Sequence, residues 1–405
     1  MFELPKRDLN GAFTSLPLDD IHFGAGSLEK LGPTLEMHGI KRALIITGNT
    51  LANKTDLVDK VKAATDGRTA AVFSETIQHV PRQMVLRATE MARENDIDGL
   101  ICFGGGSPND TAKAVMIALA QGITSTEGFD EARIKFQYPD QIEIPPVTGD
   151  CVPLIAIPTT LSAGEFTNFV GVTDEVRKVK DLYADKKITA KAVILDPTLT
   201  LDTPDWLWLS TGMRAVDHCV EAIYSGLAQP FTDALAIRAL DMLFTYLPQC
   251  KDDPKDLVAR VQCQVASWLS VFGLGSVSLG LSHGIGHQLG ARCDVPHGIT
   301  SCVMLHHTMR FNHLHTMEQQ AWMAGAMGVE TSNMSAEVAA QAAQKAMTGF
   351  VQNLDLPTRL RDVEGVSEAD FDAIAKDALE DLIVATNPRP VTSVDDVIGL
   401  LRTAW

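Results

Sequence analysis

The sequence predicts an α/β N-terminal domain followed by an all-helical C-terminal domain. Three observations carry this prediction. Short apolar runs alternate with helix-like stretches as far as Pro197, strand-like runs then disappear, and Pro197 and Pro204 break the pattern where the change occurs. Alternation of the first kind builds a parallel sheet covered by helices, whereas a succession of amphipathic segments packs helix on helix.

In the first half the strand-like runs are RALIITG, AAVFSE, DGLICFGGGS, PLIAIPTT and AVILDP. Between them TDLVDKVKAAT, PRQMVLRATEMAREN and PNDTAKAVMIALA read as helices. Residues 122–150 are rich in Pro, Asp and Glu with little periodicity, and a surface excursion is expected there. Beyond Leu201 come MRAVDHCVEAIYSG, DALAIRALDMLFTYL, DLVARVQCQVASWLSVFG, SAEVAAQAAQKAMTGFVQNL and SVDDVIGLLRTAW, all with helical periodicity. The expected domains are therefore 1–200 and 201–405, packed closely enough to leave a cleft, a usual location for ligands.

A chain of 405 residues that is 45% hydrophobic is long and apolar enough for two cores. Its 34 Lys and Arg against 51 Asp and Glu leave a formal charge of −17, which disfavours nucleic acid and anionic membranes as partners. The start MFELPKRDLN has no basic region followed by an apolar stretch, and no uncharged apolar window of about 18 residues follows, so a cytoplasmic protein is expected. The seven cysteines, Cys102, Cys151, Cys219, Cys250, Cys263, Cys293 and Cys302, are scattered and never form C-x-x-C, which reads as buried free thiols.

Gly104, Gly105, Gly106 and Ser107 follow the strand DGLICF and precede a helix opening with Pro108. Glycines let backbone approach a phosphate closely, and the free N–H groups and dipole of a helix N-terminus favour its charge. The run is neither G-x-G-x-x-G nor a Walker loop, so a plain strand-to-helix turn also fits. The strand RALIIT ends at Gly48, where dinucleotide folds often place an acid on the ribose 2′-hydroxyl. With glycine there, a 2′-phosphate meets no carboxylate.

In GLSHGIGHQLGARCDVPHG, His283 and His287 are four apart and share a helix face, and His297 returns after Pro296. His218 lies in an earlier helix. Imidazoles converging from rigid supports assemble metal sites, although a helix histidine is also an ordinary satisfied core residue. Gly284 and Gly286 each cost the helix roughly 1 kcal/mol against alanine, so a cofactor or a closely packed helix is expected against them. No glutamate separates His283 from His287, which excludes the metalloprotease arrangement.

Taken in order, GGGSPNDTAK, IPTTLSAGEFTNFVGVTDE, DPTLT, TGMRAVDHCVEAIYS and GLSHGIGHQLGARCDVPHG resemble the iron-containing alcohol dehydrogenase family over nearly the whole chain. The resemblance implies the dehydroquinate synthase-like fold of that family: a dinucleotide-binding α/β domain, a helical catalytic domain, an active site between them, and a homodimer. It implies NADP or NAD as cofactor, with Gly104, Gly105, Gly106 and Ser107 on the pyrophosphate and Asp110 nearby. Thr159, Thr160 and Asn168 would line the nicotinamide end, and Lys180 would contact the ribose side. The family's ribose discriminator, often aspartate, matches Gly48, which favours NADPH or dual use.

The family metal, iron or zinc, is usually held by an aspartate and three histidines. The histidines match His218, His283 and His297, His287 matches a residue beside the substrate, and the aspartate position matches Arg214. Arg214 and His218 share a helix face, and a fixed guanidinium repels a divalent ion without releasing its proton, so metal is expected to be absent. Asp217, rotated by about 100° from His218, is expected to partner Arg214 at i+3.

The short run LSAGE and the sequence Asp294-Val295-Pro296-His297 are similar to the maleylacetate reductase branch. The expected function is an NAD(P)H-dependent oxidoreductase interconverting a small carbonyl, an aldehyde or a maleylacetate-like keto acid, and its alcohol. Arg214 with His283 or His297 would stabilise the nascent alkoxide, and His287 would relay the proton. Three other readings fit the same residues. One is a metal enzyme with three histidine ligands and Arg214 turned toward Asp217. Another is a dinucleotide-binding protein without catalysis, and the third is a redox-neutral lyase-type relative that produces no net NAD(P)H change.

Overall fold

Strands buried on both faces read as continuous apolar runs, and the first half of the chain assembles them into a parallel sheet. In the computed structural model, which describes residues 2–3, 5–7, 10–137 and 141–405, the chain divides into two units. The strands are β1 (Asp20–Phe23), β2 (Ala43–Gly48), β3 (Thr69–Thr76), β4 (Gly99–Gly104), β5 (Lys135–Gln137), β6 (Gln141–Glu143), β7 (Leu154–Pro158), β8 (Phe169–Asp174), β9 (Val179–Ala184) and β10 (Ala192–Leu195). Six form one sheet in the order β1-β10-β7-β4-β2-β3, every neighbour parallel. Strands β4, β7 and β10 are buried throughout. The helices of this unit are α1 (Leu31–Met37), α2 (Asn49–Lys54), α3 (Leu57–Ala64), α4 (Arg82–Glu94) and α5 (Gly106–Ala120).

From β2 the chain runs outward to β3 and then returns across β2 to β4, so the winding direction reverses between β2 and β4. Open α/β sheets bind ligands outside the carboxyl ends of their strands at such a reversal. Gly48 and Gly104 are the last residues of these two neighbouring strands.

The 122–150 stretch departs from a simple surface excursion, and its residues 138–140 lie outside those described. Phe129 is fully buried with its ring 6.0 Å from that of Tyr183, and Ile134 N donates to Leu182 O at 2.7 Å. Arg82 anchors the stretch, donating to Thr126 O (2.8 Å), Asp130 (2.8 Å) and Asp181 (2.7 Å). One aromatic anchor and one buried arginine leave no hydrophobic period to read.

The same arginine network governs an acid response. Burial alone would raise the Asp174 carboxyl, but bonds from Arg177 and Val176 and the charge of Arg82 hold it down at about 2. The folded value lies below the ordinary value of about 4, so this stabilisation is present above that pH and is lost as pH falls toward 2. Asp174→Asn should therefore lower the thermal midpoint at pH 6, with the difference from the unsubstituted protein shrinking between pH 4 and 2. A pH-independent difference would contradict this account.

The second unit comprises Met1–Thr14, Phe136–Gln141 and Pro204–Trp405. Its helices are α6 (Asp205–Tyr224), α7 (Pro230–Asp252), α8 (Leu257–Val271), α9 (Leu281–Cys293), α10 (His297–Phe311), α11 (His313–Ala326), α12 (Ala336–Asn353), α13 (Phe371–Ala378), α14 (Leu382–Ala385) and α15 (Val394–Ala404). A core of Leu281, Ile285, Leu289, Val303, Met304, Ile374 and Leu401 joins α9, α10, α13 and α15. The stretch Leu257–Ser276 is long and apolar enough to cross a membrane by length and composition alone, and half of it is buried inside the protein.

The boundary 1–200 needs correction at its start. The segment up to Thr14 belongs with the helices: Arg7 forms an ion pair with buried Asp233 at 2.8 Å, and Phe13 packs on Phe231 and Phe272. These contacts span more than two hundred residues, which local patterning does not register.

Candidate active site

Two residue clusters carry chemistry, one in each unit. In the α/β unit, Gly104 ends β4 at φ +140°, and a Cβ there would lie 2.9 Å from the Pro108 ring. Both the backbone and the space demand glycine at that position. Gly105 caps α5, which starts at Gly106, so Pro108 is its third residue rather than its first. A Cβ on Gly105 would meet Thr160 at 3.1 Å, and one on Gly106 would meet Ser162 at 3.9 Å. Thr159 N donates to Gly104 O at 3.0 Å. Gly104, Gly105, Gly106, Ser107, Thr159 and Thr160 therefore converge on one helix N-terminus, whose first-turn N–H groups lack intrahelical acceptors.

Asp110 lies one turn further, 3.8 Å from Lys180 Nζ. Burial raises its carboxyl, and Lys180 and Lys113 oppose that. Lys180 reaches Asp110 across the β8–β9 hairpin by passing over Gly171, where any Cβ would collide with its side chain. Asn168 is half-buried on the loop before β8.

Lys113 was not singled out from the sequence, yet it holds that loop together. Fully buried, its ammonium donates to Gly164 O (2.6 Å), Thr167 O (2.5 Å), Thr167 Oγ1 (3.2 Å) and Phe169 O (3.3 Å). Burial pulls it down to about 8, opposed by Asp110 and Glu165. Gly48 is different: its backbone is extended and a Cβ would meet only Thr76 Oγ1, at 3.6 Å. No steric reason requires glycine there.

In the helical unit, Arg214, Asp217, His218 and Glu221 occupy positions i, i+3, i+4 and i+7 of α6, a single face. Helix α9 contributes Ser282, His283 and His287, and α10 contributes His297 and Ser301. Glu221 accepts from Gly280 N (2.7 Å) and Ser282 N (2.8 Å), capping α9, and lies 2.7 Å from His283 Nδ1. Asp217 Oδ2 accepts from Ser282 Oγ (2.8 Å) and Ser301 Oγ (2.7 Å).

The expected direct pairing of Arg214 with Asp217 is replaced by a relay. Arg214 Nη1 donates to Ser301 Oγ at 3.3 Å, and that hydroxyl donates onward to Asp217. The i+3 argument omitted α10, which inserts Ser301 between the two charges. Burial raises both Asp217 and Glu221, and the Glu221 charge raises Asp217 further.

The His218 and His283 rings stack at 5.0 Å, and those of His287 and His297 meet edge-on at 6.1 Å. Burial, reinforced by the nearby Arg214 charge, holds His218 and His283 well below the usual histidine value, so both are neutral at pH 7. His287 Nδ1 is 2.8 Å from Asp381 Oδ2, and Asp381 in turn caps α14 through Ile383 N. A carboxylate behind an imidazole fixes its tautomer and leaves Nε2 for proton transfer. The backbone approach expected at Gly284 and Gly286 is made by protein: a Cβ would collide with Val384 at the first and lie 2.7 Å from Thr300 at the second.

A parallel sheet with a glycine turn at its reversal point suits a phosphate-bearing dinucleotide, and the helical unit carries an arginine and histidines on neighbouring helices. Comparisons with known proteins make this specific. The model of the iron-containing alcohol dehydrogenase family matches residues 19–197, and that of the family's C-terminal domain matches residues 208–405. The NAD-dependent methanol dehydrogenase of Bacillus methanolicus is 32% identical over 94% of this chain and 97% of its own. The maleylacetate reductase of Pseudomonas sp. strain P51 is 30% identical over 95% of this chain and 94% of its own. A solved 1,3-propanediol oxidoreductase superposes with a TM-score of 0.89 at 29% identity, covering 97% of this chain and all of the other. The chain belongs to the iron-containing alcohol dehydrogenase family and is an alcohol/aldehyde oxidoreductase using a nicotinamide cofactor.

Proposed function

We propose that this enzyme reduces a small carbonyl compound bearing a carboxylate, a keto acid or an aldehyde acid, with Arg214 in place of the family metal. The observation that carries the proposal is the placement of Arg214 on one helix face with His218, tied through Ser301 to buried Asp217.

The residues at the family metal site do not fit a divalent ion. The family aspartate is replaced by a permanent cation, whose charge already presses on the His218 and His283 rings. Glu221 is engaged by backbone N–H groups and His283, and Asp217 Oδ2 by two serine hydroxyls. A divalent ion there would face the guanidinium, with Asp217 Oδ1 the one uncommitted oxygen of the two carboxylates to balance it.

The glycine turn, Thr160, Ser162 and the α5 N-terminus fit a dinucleotide pyrophosphate, and Gly48 leaves room for the 2′-phosphate of NADP. The bound nicotinamide supplies the hydride. Negative charge then develops on the substrate oxygen, and a preorganised guanidinium stabilises it without reorganisation. His287 donates the proton from Nε2 while Asp381 holds the ring. An arginine fork also matches a substrate carboxylate in geometry and charge.

Two observations favour the metal-dependent alternative: His218 Nδ1, His283 Nε2 and Asp217 Oδ1 are buried with no hydrogen-bond partner, and Asp217, Glu221 and His283 bring ligand atoms within 4.8 Å of one another. Elemental analysis separates the two readings. The purified enzyme is expected to contain no stoichiometric iron or zinc and to keep its NAD(P)H-linked reductase activity after dialysis against a chelator. Stoichiometric metal together with loss of activity on chelation would sink the arginine reading.

A further inference from the structure

Two of the seven cysteines face each other across a helix pair, and the hydride chemistry uses neither. Cys250 is in the last turn of α7 and Cys263 in the second turn of α8. Both are free thiols, almost completely buried, with their Sγ atoms 3.8 Å apart. The separation exceeds the bonded S–S length of about 2.05 Å by little more than a side-chain rotation supplies.

Access to buried sulfur requires local opening, and the end of α7, where Lys251 pairs with Asp355, is where the backbone bonding is interrupted. Pro248 lies inside the helix and donates no backbone hydrogen bond to the preceding turn. The helix stops at Asp252, two residues beyond Cys250, and Asp252 and Asp253 are exposed. Helix ends with weakened backbone bonding open at far lower free energy than the core.

The surroundings are also polarised. Arg260, one turn before Cys263 on α8, stacks 4.5 Å over the Trp208 ring and donates from Nε to Pro254 O at 2.6 Å. The charged groups facing the pair are Arg260, which favours thiolate, and Asp256, which opposes it. A hydrogen bond from Cys263 pulls the Cys250 thiol down despite burial, whereas burial pushes Cys263 up. One sulfur is thus poised to attack and the other to resolve, the arrangement of a redox-responsive dithiol.

We propose that Cys250 and Cys263 form a redox-active dithiol that hydroperoxides oxidise reversibly to a disulfide joining α7 to α8. The Cys250 thiolate attacks a peroxide oxygen and the O–O bond breaks. The departing hydroxide takes a proton to become water, leaving a sulfenic acid. Cys263 Sγ then attacks the Cys250 sulfur, the S–O bond breaks, and a second water leaves with the thiol proton. Two thiols lose two electrons in total, and one hydrogen peroxide becomes two waters. Reduction by an external dithiol reverses the change.

The test uses the full-length protein, fully reduced and then treated with a few equivalents of hydrogen peroxide. Remaining thiols are alkylated after denaturation, and peptides are mapped without reduction. The expected result is a Cys250–Cys263 cross-link as the main oxidation product, with loss of two hydrogens from the intact mass and full reversal by dithiothreitol. Cys263→Ser should instead accumulate a Cys250 sulfenic acid that a 1,3-diketone traps. The proposal is overturned if both thiols of the unsubstituted protein alkylate fully while half-buried Cys151 oxidises, or if either sulfur pairs with a different cysteine. Neither readout depends on the reductase activity, so its outcome is separate from that of the arginine reading.

Discussion

Arg214→Ala is expected to lower kcat/KM for carbonyl reduction by about a hundred- to a thousandfold, the range found when one oxyanion donor is removed. The loss should fall on kcat, because the guanidinium stabilises charge present only in the transition state, and also raise KM, because the same group holds the substrate carboxylate. Cofactor affinity should stay unchanged, since the glycine turn belongs to a different residue cluster. Added guanidinium ion should restore part of the rate, a rescue that a folding defect would not show. The relay adds a second expectation for this position. Arg214→Asp would place a carboxylate near His218 and His283, and this variant should acquire divalent metal by elemental analysis. A variant lacking the Arg214 side chain that works within threefold of the unsubstituted enzyme would remove the residue from the chemistry.

The second large effect concerns the cofactor. Gly48→Asp should raise the KM for NADPH by about a hundredfold while leaving that for NADH within a few-fold. At about 4 Å and an effective dielectric near 20, two like unit charges repel by roughly 4 kcal/mol, and salt reduces this toward the hundredfold figure. The substitution reads charge rather than shape, because a Cβ at Gly48 makes only an ordinary 3.6 Å contact with Thr76. The effect should shrink as ionic strength rises. Equal KM changes for both cofactors would show that Gly48 does not face the ribose.

Most of the architecture was legible in the sequence because it rests on periodicity. Buried parallel strands such as β4 and β7 are continuous apolar runs, and helices such as α6 and α15 repeat their apolar positions every three or four residues. What escaped depends on contacts between distant segments. The burial of Phe129 comes from Arg82 and Tyr183, and the N-terminal segment is held by Asp233, Phe231 and Phe272. No local pattern encodes either.

The candidate sites divide in the same way. Positions fixed by one turn or one helix face, the glycine run and the Arg214–His218 pair, were found. Supporting groups from other elements were not: Ser301 and Ser282 behind Asp217, Asp381 behind His287, and Lys113 beneath the 164–169 loop. Glu221 did leave a signal, since it is seven residues after Arg214 and so on the same face. Extending the i, i+3, i+4 argument by one turn finds it.

The ion pair between Arg7 and Asp233 has a consequence for synthesis. The partners are 226 residues apart, so at about 5–20 residues per second Arg7 is made roughly 10–45 s before Asp233 exists. In that interval Ser15–Lys135 and Ile142–Thr203 have all been made and can fold as a sheet. The segment around Arg7 then waits unattached for the helices that will receive it. Vectorial synthesis and the order of docking run in opposite directions for this segment. A ribosome-stalled chain that ends far enough beyond residue 203 to bring β10 clear of the exit tunnel should accordingly show a protease-resistant α/β core with the segment around Arg7 still open to cleavage.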